Sequence, residues 1–84
     1  MTRYTVVWYP FPESELLRLW LAASDKQAVT KAANEIDRQL VIDPDTVGSI
    51  VRNQLRELTV PPLRVLYLVS EPDRMVKVLA LALI

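Results

Sequence analysis

Four of the five basic side chains in the second half of the sequence lie inside stretches that otherwise read as strand. "VPPLRVLYLV", residues 60–69, is an apolar run with one guanidinium, Arg64, set into it. Arg52 and Arg56 lie four positions apart in "SIVRNQLRELTV", and Lys77 interrupts "RMVKVLALALI". A guanidinium stays protonated and meets phosphate oxygens two at a time, so contact with an anion is the chemistry these residues offer. Residues four apart in an uninterrupted strand share a face, which makes Arg52, Arg56, Arg64 and Lys77 the expected anion-binding set. The plainer role for Arg64 is to reach solvent at a strand end or to pair with an acid such as Glu57. For Arg52 and Arg56 it is to form a solvated edge that discourages sheet aggregation.

Proton transfer is harder to supply. The 84 residues contain no histidine and no cysteine, which excludes disulfides, thiolate zinc sites and thiol or imidazole catalysis. The remaining carriers are Glu57, Lys77 and the tyrosines, whose ordinary pKa values of about 4, 10 and 10 are far from neutrality. The carboxylate pairs Glu13 with Glu15 and Asp43 with Asp45 suit helix ends and turns better than metal ligation, and no metal or cofactor is expected. Trp8 and Trp20 have the rings for base stacking. Their apolar neighbours place them instead in the core between sheet and helices.

The elements that must position these residues follow from periodicity. "YTVVWY", residues 4–9, reads as a first strand ended by Pro10. From about Pro12 the spacing is helical, with Leu16, Leu19, Trp20 and Ala23 on one face. "SDKQ", residues 24–27, predicts a capping box with Ser24 as the cap and Gln27 reaching back. The second helix then carries Val29, Ala32 or Ala33, Ile36 and Leu40 inward and stops at "DPD", since the residue before proline disfavours helix. After Gly48, the only glycine, the period is that of strands. "SIVRNQLRELTV" predicts one strand with a bulge, "LRVLYLV" another, "SEPD" a tight turn and "RMVKVLALALI" the last strand.

The order β-α-α-β-β-β predicts an α+β fold of two layers, a helical hairpin on one face of a mostly antiparallel sheet, as one domain over residues 1–84. In "LRVLYLV" the alternation puts Leu63, Val65, Tyr67 and Val69 on one face and Arg64, Leu66 and Leu68 on the other. In the last strand it puts Met75, Lys77, Leu79, Leu81 and Leu83 together. A helical hairpin covers only one face, so Leu66, Leu68, Leu79, Leu81 and Leu83 are expected to bind a partner.

Half of the chain is hydrophobic (51%) and about a quarter charged (24%), a globular composition with zero net charge. Residues 1–47 hold five basic against seven acidic side chains, residues 48–84 five against three, which again places anion binding in the second half. The opening segment is broken by Pro10, Pro12 and Glu13 before reaching signal-peptide length, and no apolar run is long enough to span a membrane, so a cytoplasmic location is expected.

Taken in order, "YTVVW", "ELLRLWLAASD", "AVTKAANEIDRQL", "DP", the glycine, "LTVPPLRVLYLV" and "DRMVKVLALALI" resemble the RelE/ParE superfamily of bacterial toxins from type II toxin-antitoxin modules. The resemblance implies a helical hairpin on a twisted sheet whose other face acts on a target, and a cognate antitoxin that covers that face. Some members are ribosome-dependent messenger RNA endonucleases and others inhibit DNA gyrase. Nuclease members carry an arginine where Arg64 stands, which makes Arg64 the candidate catalytic residue. They also commonly carry a basic segment with tyrosine or histidine at the last strand, where this chain reads "VLALALI". The expectation is a growth-inhibiting toxin with the ribosome and its messenger RNA, or gyrase, as target. The alternative is an inactive member serving as an interaction module or homodimer.

Overall fold

The computed structural model describes residues 3–84; Met1 and Thr2, which the expected domain includes, lie outside the described residues. Among those described, the chain forms β1 (Thr5–Trp8), α1 (Pro10–Ala22), α2 (Lys26–Ile42), β2 (Ser49–Arg52), β3 (Leu55–Val60), β4 (Leu63–Ser70) and β5 (Met75–Leu83). The strands make one sheet in the order β1-β5-β4-β3-β2, antiparallel except for β1 alongside β5. The helical hairpin packs on one face of it, the two-layer α+β arrangement the periodicity predicts.

Local chemistry sets the element ends. Pro10 opens α1, where a missing N–H costs nothing. The cap of α2 is Asp25, whose carboxylate accepts from the Ala28 backbone N–H at 3.0 Å. That is one residue later than the Ser24 box predicts, and a carboxylate there also meets the positive end of the helix dipole. The Lys26 ammonium donates back to the carbonyls of Leu21 and Ala23 at the end of α1, which ties the hairpin corner. α2 ends at Ile42, before Asp43 and Pro44, as predicted.

The expected long strand over residues 49–60 is two strands. Asn53 takes a positive φ of 51° and turns the chain between β2 and β3, a conformation asparagine tolerates because its short amide bonds locally. Pro61 and Pro62, joined by a cis peptide bond, then turn β3 into β4.

The core is continuous through both layers. Leu19, Val29, Ala32, Ile36 and Leu40 from the helices meet Leu58, Leu63, Val65, Tyr67, Val76, Val78 and Leu81 from the sheet. Trp8 packs against this cluster and its indole N–H donates to Asp37 at 2.8 Å. Trp20 departs from expectation. It is 36% exposed on the outside of the hairpin, its N–H donating to the Thr30 hydroxyl, with the Lys26 ammonium 5.4 Å from the ring centroid. An indole between two helices satisfies its N–H on the Thr30 hydroxyl while its ring faces the Lys26 ammonium. Among the described residues, no helix is long and apolar enough to cross a membrane.

Candidate functional site

The helices cover the face that holds Leu63, Val65 and Tyr67, so the face with Arg64, Leu66 and Leu68 stays open. Register identifies its other members. Glu57 pairs with Leu66, Thr59 with Arg64 and Leu55 with Leu68, so β3 contributes Leu55, Glu57 and Thr59. On the other side Lys77 pairs with Leu68, Ala80 with Leu66 and Ala82 with Arg64. The open face is a strip with Leu66 and Leu68 at its centre and the cations Arg64 and Lys77 towards its two ends, about 13 Å apart along the strands.

Two of the expected positions move for one reason. The pairing of β4 with β5 shifts between Leu66 and Tyr67, leaving Leu79 as the extra residue of a bulge. A one-residue insertion inverts the alternation beyond it. Leu81 therefore turns into the core, 7% exposed and opposite Val65, and Leu83 stands opposite the core residue Leu63. The pattern that grouped Leu81 and Leu83 with Lys77 fails at this bulge. Alanines replace them on the open face, and Arg64 gains a neighbour too small to cover its guanidinium. Leu66 and Leu68 remain on that face, and Leu79 is half-buried at the bulge.

The basic row also divides. Because β2 and β3 form a hairpin with a register shift between Ile50 and Arg52, Arg52 pairs with Leu55 at the sheet edge. Arg56 pairs with Ile50 and Tyr67 and so belongs to the helix-covered side. There it is a structural group: its Nη2 donates to the Val47 carbonyl at 3.2 Å and its Nε to the Tyr67 oxygen at 3.4 Å. The Tyr67 hydroxyl lies 2.9 Å from the carbonyls of both Pro44 and Val47. Together these side chains fasten the loop after α2 to the sheet. Gly48 closes the same junction with φ +69°, and a Cβ there would stand 2.2 Å from the Glu57 carbonyl oxygen. The lone glycine ahead of the strands was the only hint of this lock in the sequence.

Arg64 is free to act. Its side chain is 47% exposed, and its one ionic neighbour among the described residues is Glu57, with Nε 3.9 Å from Oε2 and the glutamate 32% exposed. The distance makes this a loose ion pair and not a hydrogen bond. Of the candidate proton carriers, Glu57 is the one beside Arg64. Two tyrosines move away from neutrality. Tyr4 is pushed up to about 12, chiefly because its phenol donates to Glu71 at 2.7 Å, and burial pushes Tyr67 up. The acidic pairs have other partners. Glu15 pairs with Arg18, Asp43 ends α2, and Asp45 lies 3.3 Å from the Tyr4 hydroxyl, its carboxyl raised first by burial. No group of three or more acidic, histidine or cysteine side chains is arranged to hold a metal among the described residues.

No protein-family model and no curated protein matches the chain. Solved structures do. A chain of the toxin-antitoxin complex RelBE2 from Mycobacterium tuberculosis superposes with a TM-score of 0.83 at 18% identity, over 100% of this chain and 94% of that one. The E. coli toxin RelE, solved in the free state as a mutant with two arginines replaced by alanine, superposes with a TM-score of 0.74 at 12% identity, over 96% and 83%. At these identities the likeness is one of architecture, and the fold of this chain is that of the RelE toxins.

Proposed function

We propose that this chain is the one-domain toxin of a type II toxin-antitoxin module, acting in the cytoplasm. It binds a large cellular target through the open sheet face and is neutralised by a cognate antitoxin that covers the same face. The observation that carries this reading is a RelE fold whose uncovered face presents an exposed guanidinium beside two half-buried leucines. An apolar strip flanked by cations suits a partner that brings both apolar and anionic groups. Arg64 is the principal anion contact and Lys77 a second, and messenger RNA on the translating ribosome is the target that best suits two cations spaced along a strip. Arg52 contributes from the edge, whereas Arg56 is occupied by the loop lock. Leu66 and Leu68 are the apolar contacts for the antitoxin.

The test is induction of the chain alone in a bacterial host, with Arg64→Ala as the matched variant. Growth should arrest with the wild type and recover at least partly with the variant. Equal growth of both strains with good expression would refute the toxin reading and leave an interaction module. If arrest occurs with polysomes intact and plasmid supercoiling lost, gyrase replaces the ribosome as target.

A further inference from the structure

Glu57 is the one acidic residue in any of the strands. It occupies an interior position, between Ser49 on β2 and Leu66 on β4, and neither neighbour is charged. Glutamate is a poor strand former, so its presence in the middle of an apolar and basic strip is not explained by the sheet. Its diagonal neighbour on the same face is Arg64, and the pair meets at 3.9 Å. Thr59 and Ala82, directly opposite Arg64 on the two flanking strands, are uncharged. The guanidinium is thus held loosely by one carboxylate and is otherwise open.

We infer that Glu57 is a built-in competitor for the Arg64 guanidinium and sets how tightly the open face holds an anionic partner; this rests on the reading of that face as the target-binding surface. An anion approaching Arg64 meets the Glu57 charge a few ångströms away and must displace it. A partner that brings only an anion leaves Glu57 repelling it. A partner that also brings a cation or a hydrogen-bond donor satisfies both side chains, so the pair discriminates between surfaces of equal charge. Because the contact is half-exposed and longer than a hydrogen bond, the handicap is modest, on the order of fivefold in affinity.

The experiment uses four full-length proteins: wild type, Glu57→Gln, Arg64→Ala and the double variant, each checked for native folding by its amide NMR spectrum. Affinity for a labelled short single-stranded oligouridylate is measured by fluorescence anisotropy at one low salt concentration. Glu57→Gln should tighten binding about fivefold when Arg64 is present and less than about twofold when residue 64 is alanine. Equal tightening in both backgrounds overturns the inference, since Glu57 then acts only as diffuse negative charge, and an absence of tightening overturns it too. If wild type and Arg64→Ala bind alike, the anion contact assigned to Arg64 fails first, and the role of Glu57 falls with it.

Discussion

Charged residues on this chain divide by whether they stabilise an element or remain available to a partner. Glu35 belongs to the first group: Arg38 and then Gln39 donate to its carboxylate, and these bonds hold it well below the usual carboxylate range, at about 2. A lowered folded-state pKa contributes stability that is present above the unfolded value and fades as pH falls. The contribution of Glu35 should therefore be complete above roughly pH 5 and lost between there and about 2. A carbon-detected NMR titration should find the Glu35 midpoint near 2 in the wild type and shifted towards 4.5 in Arg38→Ala. A wild-type midpoint already near 4.5 would show that these bonds are not populated. Arg64 and Glu57 belong to the second group; Arg64 was nominated by its charge within an apolar strand together with the family resemblance, and Glu57 only as its possible ion-pair partner or a proton carrier. Arg56 was nominated on the same grounds and is occupied, because whether a guanidinium is free depends on which carbonyls the fold brings to it.

The loop lock and the β5 bulge are the elements that decide the shape of the site. Gly48 sits at positive φ with backbone in the space a Cβ needs, so Gly48→Ala should destabilise the protein by about 3 kcal/mol, combining backbone strain with the clash. Denaturant unfolding would measure it; a loss below about 0.5 kcal/mol would mean that the loop rearranges freely. Tyr67→Phe removes the hydroxyl that faces the Pro44 and Val47 carbonyls and should cost about 1 to 2 kcal/mol by the same measurement. An unchanged midpoint would show that water or Arg56 satisfies those carbonyls unaided. The helices and β4 were legible because their periods are clean. The hairpin at Asn53 was not, since a single left-handed residue leaves little mark on an alternating pattern.

The whole molecule is two layers with one face sealed, and this predicts opposite outcomes for leucines of one strand pair. Leu81→Ala empties core volume and should cost about 2 to 4 kcal/mol. Leu66→Ala on the open face should cost about 1 kcal/mol or less and, if the proposed antitoxin covers that face, should weaken its binding instead. Thermal unfolding together with pull-down by the antitoxin proposed above separates the two. Equal destabilisation would contradict the bulge, because strict alternation places both residues on the open face.

The two-layer architecture, the helical hairpin and the face that carries Arg64 are written in the order of residues, because these follow from repeating patterns in which every turn of helix or pair of strand residues adds to the same signal. Which side chains share that face depends instead on how the strands pair in the folded chain. One extra residue at Leu79 changes the side to which the rest of the last strand is assigned, the register shift between Ile50 and Arg52 separates Arg52 from Arg56, and strand register is fixed by the packing of both layers together. The meeting of Arg64 with Glu57, seven residues apart in the chain and adjacent across two strands, is a product of that register.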